Sequence, residues 1–211
     1  MRIREPVNAW SHLAGFVLAA IGTVALLRMA RGTWETVAFA VYGGSLILLY
    51  GASTIYHALS LPAERLRPLR TFDHIAIYFL IAGTYTPVAL VTLHGPWGWT
   101  LLVVAWAVAA AGVPFKIWFL DAPTWISTGI YLGMGYMALA AAAPLAARIS
   151  AGGLAWLAAG GIAYTVGAII FARERPNPFP GVFGHHEIWH LLVLVGSGCH
   201  FGFMVRYVAA A

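Results

Sequence analysis

The sequence predicts an all-α polytopic membrane protein: a bundle of seven transmembrane helices with a cytoplasmic N-terminus and an external C-terminus. Three observations carry this. Of 211 residues, 61% are hydrophobic and 9% charged, with a mean hydropathy of +0.82, whereas an ordinary soluble domain carries about 25% charged residues. The apolar residues gather into seven runs, each near the ~20 residues a helix needs to cross the hydrocarbon. The helix breakers and most of the charges fall between those runs.

Taken in order, the expected spans cover approximately 9–29, 36–60, 73–93, 97–118, 125–147, 152–172 and 186–208, within one domain over 1–211. Arg2 and Arg4 ahead of the first run resemble the start of a signal peptide. That run, however, exceeds the roughly 7–15 apolar residues of a signal core, so it is read as a retained span. Gly32 separates the first two runs, and Pro62 with Pro68 closes the second. Gly95-Pro96, Asp121 with Pro123, and Gly152-Gly153 mark the next three boundaries. The charged, proline-rich segment from Arg173 to Gly181 marks the last. Pro87, Pro114 and Pro144 sit near the ends of runs, where proline kinks or terminates a helix. The many glycines and alanines suit close packing between helices.

Seven spans place the termini on opposite sides, and the basic residues choose between the two orientations. Arg2, Arg4, Arg65, Arg67, Arg70, Lys116, Arg173 and Arg175 share one side, against Arg28, Arg31, Arg148 and Arg206 on the other. The richer side is expected to be cytoplasmic. The net charge of +5 is therefore assigned to orientation and to anionic lipid headgroups, not to nucleic acid. The single cysteine, Cys199, excludes an intramolecular disulfide and reads as a buried thiol.

Chemistry concentrates at the start of the last run, in Gly184-His185-His186-Glu187-Ile188-Trp189-His190. Ionisable residues inside a membrane are costly, so function is their default explanation. His186 and His190 lie four apart, on one helical face, where both can reach one metal ion. With Glu187 between them the stretch reads H-E-x-x-H, the pattern of zinc proteases. Two imidazoles do not complete a metal site; a third protein ligand is needed. Depth in the membrane ranks the candidates. Ser11 and His12 start the first span, His57 ends the second, and Asp73 with His74 opens the third, all on the face where His186 and His190 enter. His94 lies in a loop on the other side, and His200 is about 15 Å further along the last helix at 1.5 Å per residue.

In combination these motifs resemble those of the progestin and adipoQ receptor family. The residues are Ser53-x-x-x-His57, Asp73, and His186-x-x-x-His190. The segment Glu5-Pro6-Val7-Asn8-Ala9-Trp10-Ser11-His12 and the His-Glu-Ile-Trp-His stretch are similar to its bacterial hemolysin III branch. The resemblance extends over the whole chain, and the wider superfamily contains alkaline ceramidases. It implies a Zn2+ ion held by His57, His186 and His190. Asp73 would hold or deprotonate a water in the open fourth position, and Ser53 would support the site by a hydrogen bond. It further implies hydrolysis of an amide or ester bond in a membrane lipid reaching the site from the bilayer, in a bacterial inner membrane, with consequences for membrane fluidity.

Other roles compete for each residue. The histidines can hydrogen-bond between helices without a metal, Asp73 can cap the third helix, and Ser53 can bond back to its own helix. Glu187 fits the first turn of the last helix, where a carboxylate is favoured. His185 and His74 suit the interface, and His12 suits orienting a ligand. Among functions, a zinc-dependent lipid hydrolase competes with a non-enzymatic membrane sensor or receptor holding a structural zinc. A cytolysin and an H-E-x-x-H intramembrane protease are further alternatives. A transporter fits less well, because the polar residues cluster at one depth.

Overall fold

The computed structural model describes residues 3–210 and is all-helical, apart from a single bridge between Phe179 and Phe183. Arg2, counted above toward orientation, lies outside the described residues. Seven helices are long and apolar enough to cross a membrane. They are α1 (Pro6–Met29), α2 (Thr33–Ala58), α3 (Ala63–Leu93), α4 (Gly95–Trp118), α5 (Thr124–Ala146), α6 (Ala151–Arg173) and α7 (His185–Val208). Six of the seven begin within three residues of the expected positions.

Local chemistry sets the helix ends. Proline occupies the first turns of α1 and α4, where its missing N–H costs nothing. Ser150 caps α6 by accepting the Gly153 N–H at 3.4 Å, and Glu174 ends that helix in the left-handed conformation with φ 53°. Pro87 cannot donate to the carbonyl one turn back, and α3 continues past it as a wider π turn over Val88–Leu93. In α5 the helix gives way to a 3-10 segment over Met137–Ala141. The hydroxyl of Tyr85, from α3, meets the groups released there. It donates toward the carbonyls of Met134 and Gly135 and accepts the Ala138 N–H at 2.9 Å. Lipid offers such groups no partner, so the protein must supply one.

The third helix departs from expectation. It begins at Ala63, ten residues before the expected start, because charged residues beyond the hydrocarbon still form helix even though they break the apolar run. Asp73 therefore lies inside α3 and cannot serve as its cap. Lys116, counted above as a charge at the headgroups, is fully buried in α4 and contributes nothing to that surface.

α2 and α3 are the most enclosed helices. Phe39, Tyr42, Leu46 and Tyr50 from α2 and Ala76, Tyr78 and Leu80 from α3 form the centre of the core. Leu18, Ile21, Val103 and Ile162 point outward, as lipid-facing side chains do. α1 approaches α2 and α7 closely at Gly15, where an added Cβ would stand 2.7 Å from Tyr50 and Leu194. α2, α6 and α7 are joined at Ser197, whose hydroxyl is bonded to Tyr50 at 2.8 Å and Tyr164 at 2.9 Å. The packing brings the end of α2 against the beginnings of α1 and α7.

Candidate metal centre

His57 stands in the last turn of α2, and His186 and His190 occupy the first two turns of α7. One ring nitrogen from each falls within 4.8 Å of the other two. The ring centroids are 5.1 Å apart for His57–His186, 4.6 Å for His57–His190 and 4.9 Å for His186–His190. His57 and His190 are buried, while His186 keeps about a third of its side chain exposed. Nε2 of His57 and Nδ1 of His190 are buried without a hydrogen-bond partner. Leaving a buried polar atom unpaired costs about 1–3 kcal/mol. Neutral imidazoles offering lone pairs at close range are the donor set zinc prefers, so these residues fit the ion that the family resemblance implies.

Glu5, which the sequence reading quotes but gives no role, organises the centre from outside. Its Oε2 lies 2.5 Å from Nδ1 of His57 and 4.0 Å from Nδ1 of His186. Carboxylates in this relation to a metal-binding histidine fix its tautomer and ring orientation. The chain positions Glu5 by pinning the segment before α1 onto the end of α2. The N–H groups of Glu5 and Arg4 donate to the carbonyls of His57 and Ala58 at 3.0 and 3.4 Å. Arg4 also donates to the Tyr56 carbonyl at 2.8 Å, pairs with Glu5 at 3.1 Å and stacks on the Tyr56 ring. Burial alone would push the Glu5 carboxyl up, but the hydrogen bond and charge of His57, with Asn8 and Arg4, hold it at about 2.

Asn8, fully buried in the first turn of α1, ties this arrangement to α7. Its Nδ2 donates to Glu5 at 3.2 Å and to Glu187 at 3.0 Å. The other oxygen of Glu187 accepts the Gly184 N–H at 2.8 Å, which closes the first turn of α7. Both oxygens of Glu187 are thus engaged in holding the helix start.

The remaining candidates divide. His12 stacks on His190 with centroids 3.9 Å apart and has both ring nitrogens buried without a partner. Asp73 is buried on α3 and bonded to the Ser53 side chain. Among the described residues, the set of ligand atoms within 4.8 Å of one another comprises the three histidines, without Asp73. Ser11 donates to the Asn8 carbonyl of its own helix at 3.1 Å. His185 turns away to Asn177, 2.8 Å from its Nδ1. His200 lies a further ten residues along α7, near the Leu157 carbonyl.

Signals for the missed residues were present but faint. Glu5 is one of only seven acidic residues and stands directly ahead of the first apolar run. Nothing in its spacing from His57, however, declares a contact across 52 positions.

Comparison with known proteins identifies the family of the whole chain. Over residues 1–201 the sequence matches the family described as Haemolysin-III related. It is 44% identical over 208 residues to Hemolysin-3 of Bacillus cereus, spanning 97% of this chain and 91% of that protein. It is also 28% identical over 205 residues to the human monocyte to macrophage differentiation factor, spanning 95% and 83% of the two chains. With the adiponectin receptor protein of Drosophila melanogaster it shares 27% identity over 220 residues, 93% of this chain and 49% of that one.

Proposed function

The chain belongs to the haemolysin-III related family, and from that premise we propose that it is a zinc-dependent hydrolase of a membrane lipid, cleaving an amide or ester bond. The convergence of His57, His186 and His190 on one point among apolar helices supports this most directly. Bound zinc supplies Lewis acidity and lowers the pKa of water toward 7. The protein's own groups do the rest. The three imidazoles would hold the ion, Glu5 keeps His57 in the tautomer that presents Nε2, and Asn8 with Glu187 fixes the start of the helix bearing the other two. Asp73, steadied by Ser53, accepts the proton of the attacking water and returns it to the leaving amine or alkoxide. The lipid enters from the side, as suits a centre carried on apolar, membrane-crossing helices. The orientation that fits the basic residues puts this end of the bundle in the cytoplasm of a bacterial inner membrane, with the activity serving lipid and fluidity homeostasis.

The test is turnover by purified, zinc-loaded protein across a panel of lipid amides and esters. Hydrolysis of at least one class that disappears with chelation is expected, and inertness toward the whole panel defeats the reading. A second reading has one observation in its favour. The close set of ligand atoms, which could include carboxylate oxygens, leaves Asp73 out, as it would if zinc were structural in a membrane sensor. Glu187, the base that a protease mechanism would need, is occupied at both oxygens.

A further inference from the structure

A second polar cluster lies on the other side of α3, where three helices each contribute two residues four apart. Such pairs share one helical face. They are His74 and Tyr78 from α3, Gly112 and Lys116 from α4, and Ser127 and Tyr131 from α5. Because α4 runs against its neighbours, His74, Lys116 and Ser127 lie at one level and Tyr78, Gly112 and Tyr131 one turn deeper. The absence of a side chain at Gly112 lets Tyr78 pack on α4; an added Cβ would stand 2.6 Å from its Cδ2. The rings of Tyr78 and Tyr131 meet at 4.7 Å, and the Tyr131 hydroxyl donates to the His74 carbonyl at 3.0 Å.

Lys116 is the anomaly. It is fully buried, and among the described residues no carboxylate lies within ion-pair distance of it. Asp121 is held by Arg67 and Arg70, Glu5 by Arg4 and His57, and Asp73 by Ser53. The ammonium donates once, to Ser127 Oγ at 2.6 Å, and lies 5.5 and 5.7 Å from the ring centroids of Phe115 and Tyr131. An ammonium has three donors to place, and burying one without an opposing charge costs far more than burying a neutral group. In the same cluster the Tyr78 hydroxyl and His74 Nδ1 are buried without hydrogen-bond partners. The ammonium and the tyrosine hydroxyl can both donate to an added acceptor, as can the imidazole in its Nδ1–H tautomer, and the lysine requires that acceptor to be negative.

We propose that Lys116, with Tyr78 and His74, forms a buried site for a small monovalent anion, either a halide or the carboxylate of a small acid. A divalent anion would overbalance the single ammonium and leave net charge in a medium that penalises it. The site is distinct from the three-histidine centre and does not depend on that centre's being catalytic.

The experiment follows thermal unfolding of the purified full-length protein in sodium chloride, bromide or acetate against sodium gluconate at equal ionic strength. A saturable rise in unfolding temperature with the small anions and none with gluconate is expected, because a ligand bound only by the folded state stabilises it by mass action. Bromide without acetate assigns the site to halide, and acetate without bromide assigns it to carboxylate; either outcome supports the proposal. Lys116→Met should abolish the rise, and Tyr78→Phe should move its half-point to higher concentration. Repeating the titration in His190→Ala separates this site from any anion held at the histidine centre, and the rise should persist there. Indistinguishable curves in gluconate and the small anions overturn the proposal, as does an unchanged rise in Lys116→Met. Should Lys116→Met fail to fold, an unchanged half-point in Tyr78→Phe overturns it.

Discussion

The carboxylate of Glu5 meets Nδ1 of His57 at 2.5 Å, leaving Nε2 of that histidine as its one buried, unpartnered nitrogen. A residue just ahead of the first helix thereby decides which nitrogen of a buried imidazole is left free for a metal. Glu5→Gln keeps the shape and removes the charge. Loss of such a partner weakens metal binding about 10–100-fold, so competition against a chelator should show zinc released at correspondingly lower chelator concentration, with the helical content unchanged.

Asp73 separates the hydrolase from the structural-zinc reading. Asp73→Asn preserves the side-chain volume and cannot accept the water's proton. The protein should keep its zinc, while chelator-sensitive hydrolysis falls by about 10²–10⁴-fold, the range general-base catalysis supplies. Lipid profiles of cells carrying the variant should then match those of cells lacking the protein. Profiles that match the wild type favour the sensor.

The break in α5 depends on one hydroxyl. Tyr85→Phe strips the partner shared by Met134, Gly135 and Ala138 and leaves polar backbone groups unmet in an apolar setting. A destabilisation of about 1–3 kcal/mol is expected, read as a lower unfolding temperature with zinc content intact.

Asp121 joins Arg67 and Arg70, each at 2.9 Å, on the exposed end of the bundle. The hydrogen bond from Arg67, followed by the charges of both arginines, holds its carboxyl below the usual range despite a small opposing effect of burial. A depressed carboxyl stabilises the fold above its unfolded pKa, and that stabilisation fades as pH falls through the folded value. Asp121→Asn should therefore differ from wild type slightly at neutral pH and converge with it in acid. Added salt should shrink the difference further, because the pair is solvated.

Much of this was legible in the sequence for a simple reason: lipid demands long apolar helices, and their ends are written in prolines, glycines and charges. The same constraint drew attention to His186 and His190 through their four-residue spacing and set His57 among several candidates at their depth, from which the family resemblance singled it out. It hid the first ten residues of α3, since Glu64, Arg65, Arg67 and Arg70 interrupt the apolar run without interrupting the helix. It also hid Lys116, whose position near a run's end looks like a headgroup contact until α5 is folded over it. Glu5 and Asn8 were unreadable as partners of His57 and Glu187 because those contacts join the beginning of the chain to α2 and α7. Pairings of that kind arise from packing and leave no local pattern.

The proposed function stands on His57, His186 and His190 together holding one zinc ion. Metal analysis of wild-type protein and His190→Ala, purified side by side without chelators, tests it most directly. About one zinc per chain is expected in the wild type, as one set of three imidazoles implies, and near-complete loss in a variant that remains folded. A wild-type protein free of metal after zinc supplementation, or a His190→Ala variant that retains the full complement, would contradict it.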